Sequence, residues 1–168
     1  ETGSRATARA AFDDRLAADD ARSLVVEGTH GCGKSVLMAK FVEAAASSTA
    51  AAPFYCNAGH ADDLVQVLSC LSEQLARHLP GYQEQVEQCL RAQSSTVREM
   101  PADELFSRLL WTPLQRMPPA PQRVCIFLDA ADETRGGTEA LLRGWLRAEG
   151  GDANHRGFRD LLARNIMV

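Results

Sequence analysis

Residues 28–35 read Gly-Thr-His-Gly-Cys-Gly-Lys-Ser, a full match to the pattern G-x-x-x-x-G-K-[ST], and no other stretch constrains the fold as strongly. The glycines let the backbone wrap closely around a polyphosphate, so that successive N–H groups and a helix N-terminus point at its negative charge. In that arrangement Lys34 reaches the outer phosphates and the Ser35 hydroxyl ligands Mg²⁺. The context has the required order of strand, loop and helix. Leu24-Val25-Val26 is a β-branched run suited to a buried strand over residues 23–27, and beyond Lys34 the residues Leu37, Phe41 and Ala44 recur at helical spacing, flanked by Val36 and Met38. The chain is therefore expected to bind a nucleoside triphosphate, ATP ahead of GTP, with Mg²⁺. Gly28, Thr29, His30, Gly31, Cys32, Gly33, Lys34 and Ser35 are the candidate contacts.

A second motif fits the first. Val124-Cys125-Ile126-Phe127-Leu128 is the most hydrophobic run in the chain and is followed by Asp129-Ala130-Ala131-Asp132-Glu133. Continuous rather than alternating hydrophobicity suits a parallel strand buried on both faces. Such a strand delivers Asp129 to the sheet's C-terminal edge, where it contacts the metal directly or through water.

Between the motifs the chain alternates helix and strand signals. Residues 5–21 read as a helix, 47–52 as a small-residue linker, and 54–56 as a second strand opened by Pro53. Leu64, Leu68, Leu71, Leu75 and Leu79 form one helical stripe, which Pro80-Gly81 ends. Residues 82–93 give a weaker amphipathic helix and 93–99 a loop. From Pro101 another helix carries Leu105, Phe106, Leu109 and Leu110 on one face, and Pro113 either kinks it or restarts it with Thr112 as cap. Residues 141–148 and 158–165 read as short amphipathic helices. Trp111 and Trp145 sit in apolar helical stripes and read as core anchors, and Arg135, Arg143, Arg147 and Arg156 as solvated positions.

The 168 residues, 45% hydrophobic and 24% charged, suit one globular domain spanning residues 1–168. A net charge of -4 leaves no basic stripe for a nucleic-acid backbone, and no apolar segment is long enough to span a bilayer, so the expected setting is intracellular, in the cytoplasm. Cys32, Cys56, Cys70, Cys89 and Cys125 are odd in number and lack C-x-x-C spacing, which argues against a disulfide framework and a structural zinc site. Four of them lie in or beside apolar runs, where a thiol packs as a small hydrophobe.

The two motifs together resemble the NACHT group within the signal-transducing class of P-loop ATPases. The Asp-x-x-Asp-Glu ending of the second motif carries the likeness, together with the helix before the first strand, the Phe-Tyr-Cys strand, the Leu-rich helix after it, and the Leu-Leu-Trp-Thr-Pro-Leu helix before the second motif. The resemblance implies a three-layer αβα sandwich around a parallel sheet and a nucleotide switch with slow Mg²⁺-dependent hydrolysis. It also implies that the acids beyond the small Ala130 position the attacking water, a role that falls on Asp132 and Glu133 without choosing between them.

Two departures stand out. His30 and Cys32 replace small residues. His30 reads as a solvent-facing tip and Cys32 as compact filler, with a redox-sensitive thiolate as the sharper alternative. In P-loop proteins of this lineage a sensor strand follows the Asp-bearing strand in sequence and lies between it and the strand before the loop. Here only residues 166–168 are available to begin it, and no lid is identifiable. The expectation is a core that is incomplete at its C-terminus, within a larger protein whose other domains or protein partners complete it. Two other readings stay open: a non-catalytic scaffold of the same fold, and a small-molecule kinase of the same superfamily.

Overall fold

The computed structural model describes residues 3–17, 26–47, 49–56, 63–91, 96–118, 123–130 and 166–167. Mostly helical, it is a mixed α/β arrangement built on a small parallel sheet. Helix α1 (Gly3–Ala17) and helix α2 (Lys34–Ala46) precede strand β1 (Thr49–Tyr55). Helices α3 (Leu64–His78) and α4 (Tyr82–Arg91), a 3-10 turn (Val97–Glu99) and a helical run from Ala102 to Arg116 lead to strand β2 (Arg123–Asp129). Strand β3 (Ile166–Met167) closes the order. The sheet order is β1-β2-β3, parallel throughout, with Thr49 opposite Arg123 and Tyr55 opposite Asp129. Val124 and Cys125 pair with Ile166 and Met167.

The continuous apolar run of β2 has the explanation its pattern predicts: it is covered on both faces. Alternate residues Val124 and Ile126, with Ala50, Ala52 and Phe54 of β1, join the large cluster that contains Leu68, Leu71, Leu75, Leu105 and Leu110. Cys125 and Phe127, with Ala51, join a smaller cluster containing Phe12, Leu37, Phe41 and Ala45. So α3 and the helices after it cover one face, and α1 with α2 cover the other.

Residues 49–52, expected in a linker, are strand. Ala50, Ala51 and Ala52 are all buried, and small side chains let helices approach β1 closely from both sides; the packing overrides the weak β-propensity of alanine. Pro53 stands within the strand rather than opening it. It costs no ladder bond because, among the described residues, β1 is the outer strand of the sheet, and its carbonyl accepts a hydrogen bond from Gln74 Nε2 at 2.6 Å.

Helix α3 starts where Asp63 accepts the Gln66 N–H at 2.9 Å, a side-chain cap, and stops before Pro80-Gly81, with Gly81 at φ 87°. Within the stretch from Ala102, residues Ser107–Trp111 are wound as a π-turn between α5 (Ala102–Phe106) and α6 (Thr112–Arg116). Thr112 is itself helical at φ -65°, so it is no cap: the helix continues through Pro113 with its ladder shifted. Proline has no N–H for the carbonyl four residues earlier, that of Leu109, and the buried Tyr82 hydroxyl donates to that carbonyl at 2.6 Å. Trp111 is half-buried against the larger cluster, as its stripe predicts.

Helix α1 matches the expected first helix up to Ala17. Residues 23–25 of the expected first strand lie outside the described residues, and Val26 and Glu27 carry no ladder. The expected helices at 141–148 and 158–165, with Trp145, Arg135, Arg143, Arg147 and Arg156, also lie outside them. No described helix is long and apolar enough to cross a membrane.

Candidate phosphate-binding loop and strand-end carboxylate

Gly31 and Gly33 sit at φ 76° and 90°, in the left-handed region that glycine enters without a Cβ penalty. The first makes the turn at the loop tip, closed by the Cys32 N–H on the Thr29 carbonyl at 3.3 Å, and the second redirects the chain into α2. The helix ladder opens with the Leu37 N–H on the Gly33 carbonyl at 3.0 Å. The N–H groups of Lys34, Ser35 and Val36 thus precede the first intrahelical bond. No side chain caps them and no acid lies in the first turn. This leaves the positive end of the helix dipole facing outward with its donors.

Lys34 folds back over the loop, its ammonium donating to the carbonyls of Gly28 at 2.8 Å and Thr29 at 3.2 Å. Thr29, His30 and Ser35 are exposed, His30 at the turn tip as its sequence position predicts. Cys32 is exposed too, yet it fills space within the loop: a Cβ on Gly28 would meet Cys32 Sγ at 2.8 Å. Gly28 is glycine because the thiol takes that room. Of the other four thiols, Cys56, Cys89 and Cys125 are buried, Cys56 and Cys125 within the clusters, and Cys70 packs half-buried against the larger one.

Asp129 is the last residue of β2 and is buried. Its carbonyl accepts the Cys56 N–H at 3.1 Å, which carries the β1–β2 pairing one residue past the end of β1. Ala130 follows at φ 51°, a left-handed turn that only a small or polar side chain tolerates cheaply.

The loop and Asp129 lie toward one edge of the sheet. Helix α2 ends where β1 begins, with Thr49 Oγ1 donating to the Ala45 carbonyl at 2.8 Å, and it packs along the sheet through Leu37, Phe41 and Ala45. It therefore runs back against the strand direction, and its N-terminal turn lies toward the edge where β1 and β2 end. Alternation places Asp129 on the same face as Cys125 and Phe127, the face that α2 covers. Asp132 and Glu133 lie outside the described residues.

Sequence reasoning passed over Tyr55. The parallel register sets it opposite Asp129, and counting by twos from Ala51 puts it on the α2 face. Only the register reveals the pairing.

The donor set suits a hard cation bound with a polyphosphate: Ser35 and Asp129 offer oxygen ligands, and Mg²⁺ takes one or two protein oxygens and completes its shell with phosphate and water. Among the described residues no group of three or more His, Cys, Asp or Glu is placed to hold a metal alone.

No curated protein and no solved structure matches this chain. Residues 1–155 match the family described as Nephrocystin 3, N-terminal, rather than the NACHT group that the motifs resemble, and the chain belongs to that Nephrocystin 3 N-terminal family.

Proposed function

We propose that the chain is the nucleotide-binding core of a NACHT-like switch, holding a nucleoside triphosphate with Mg²⁺ in the loop at residues 28–35. The observation that carries this reading is the loop itself. Two left-handed glycines lead into a helix whose first N–H groups are uncapped and solvent-facing, and a lysine ammonium sits over the same backbone. The sheet supports the P-loop form of the fold. Helices cover both its faces, and β2, which ends in Asp129, lies between β1 and a later parallel strand at Ile166–Met167.

In this reading the loop N–H groups bind phosphate oxygens, and Lys34 exchanges its two carbonyl partners for the outer phosphates. Ser35 and Asp129 hold the cation, which supplies charge neutralisation and polarises the terminal phosphoryl group when bound. Asp132 or Glu133 orients the attacking water. Nucleotide acts as a switch only insofar as it binds two arrangements of the protein with different affinity.

One observation favours a second reading, a scaffold that keeps the loop without using it: Lys34 is already satisfied by the Gly28 and Thr29 carbonyls. Thermal unfolding separates the two. At about 100 times its Kd, MgATP should stabilise a binding-competent domain by about 2.7 kcal/mol. Lys34→Ala should remove that shift and leave the ligand-free midpoint nearly unchanged. If neither MgATP nor MgGTP shifts the wild-type midpoint, the scaffold reading takes over.

A further inference from the structure

Among the described residues two large apolar side chains stand well out into solvent, Val36 at 61% and Tyr55 at 48% exposure. Val36 occupies the first turn of α2, where the helix must leave its end open. Tyr55 needs another explanation: on its own face of β1, Ala51 is buried and Pro53 half-buried, so the cover from α2 thins toward the strand end and leaves the ring open.

Its position supplies one. The parallel register sets Tyr55 directly opposite Asp129, and the bond between the Cys56 N–H and the Asp129 carbonyl at 3.1 Å locks that register at the strand ends. Both side chains rise from the face that α2 covers, at the edge toward which the loop lies. Adjacent strands are about 4.8 Å apart, so the half-exposed Tyr55 and the buried Asp129 stand side by side at that edge, and the phenol is the longer side chain of the two. A phenol hydroxyl can both donate and accept a hydrogen bond.

From this we infer that Tyr55 is a positioning residue whose hydroxyl hydrogen-bonds an oxygen of the hydrated Mg²⁺–triphosphate group beside Asp129. The inference rests on the nucleotide-binding reading given above. It adds a contact from β1, an element that neither sequence motif touches.

The test is calorimetric titration of wild type, Tyr55→Phe and Tyr55→Ala with MgATP, paired with the Tyr55 ring resonances in the labelled protein. Wild type should bind, with the ring signals moving at saturation. Tyr55→Phe, which keeps the ring and should keep the ligand-free melting midpoint, should bind about three- to tenfold more weakly, the loss of one hydrogen bond. Tyr55→Ala should bind no more than slightly worse than Tyr55→Phe. Unchanged affinity in Tyr55→Phe overturns the inference while leaving the loop reading intact. A loss confined to Tyr55→Ala assigns the ring to packing and overturns the hydroxyl's role. Absence of wild-type binding overturns both.

Discussion

The two faces of the sheet are built differently. Among the described residues, 17 buried residues form the cluster on the α3 side, dominated by leucines at helical spacing, whereas seven form the cluster on the α2 side. The smaller one rests on aromatic contacts. Phe12 stacks on Phe41 with centroids 4.2 Å apart and rings 9° from parallel, and Phe12 meets Phe127 at 6.1 Å in a tilted arrangement. Small residues, Ala45, Ala51 and Cys125, fill the rest. The α3 face therefore supplies most of the buried apolar area, and hence most of the stability. The α2 face holds one helix at a set height above Asp129 and the loop. Stability and site geometry fall to different layers.

Paired truncations test that division most severely. Leu71→Ala and Phe41→Ala each remove a buried side chain and should each cost about 3 kcal/mol by urea denaturation. Only Phe41→Ala should also weaken MgATP binding, by about tenfold, because α2 loses the contact that sets its seat and small displacements of a binding group are expensive. Equal loss of affinity in both variants would show that the faces are coupled rather than specialised.

The α3 face also holds the most deeply buried polar side chain of the described region, and the next largest effect is expected there. Tyr82 is fully buried, and Tyr82→Phe leaves the Leu109 carbonyl without the hydroxyl that replaces the missing Pro113 N–H. A cost of about 1–2 kcal/mol should follow, with no change in nucleotide affinity. Burial pushes the Tyr82 phenol well above its usual value; a hydrogen bond with Ser72 opposes the shift and Cys89 adds to it. The folded state thus favours the neutral phenol. Its contribution is whole below the unfolded phenol's pKa of about 10 and is lost as pH rises above it. Wild type should lose stability with rising alkalinity faster than Tyr82→Phe does. Parallel pH profiles would remove the phenol from the account.

How much of this could be read from the chain depends on the range of the interaction. The loop from Gly28 to Ser35 was legible because its conformation is local: glycines at φ 76° and 90° are needed at fixed offsets from a helix start. The leucine stripe of α3 and the parallel, doubly covered β2 were legible for the same reason, as periodicity reports burial. The alanines of β1 were not, since small residues in a tight layer look like a linker until the helices on either side are known. The pairing of Tyr55 with Asp129 spans more than 70 residues and follows only from register. Pro113 announced a disturbance. Its resolution as a π-turn sealed by Tyr82 required a partner from another helix.

The smallest effects should come from the loop, where backbone conformation rather than packing is at stake. Gly31 has no neighbour within 4 Å of a would-be Cβ, so Gly31→Ala meets only the cost of its positive φ, about 1 kcal/mol, and should lose binding as the turn relaxes. Gly28 presents the opposite case: its φ is not in the left-handed range, and the obstacle is Cys32 Sγ at 2.8 Å, the free end of a side chain. Gly28→Ala should therefore cost less than about 1 kcal/mol, and a second change, Cys32→Ala, should return both stability and affinity toward wild type. That rescue is specific to steric crowding between the two positions. If Cys32→Ala fails to rescue Gly28→Ala, while Gly31→Ala proves harmless, the glycines do not hold the loop in the form described, and the site must draw its geometry from the α2 seat alone.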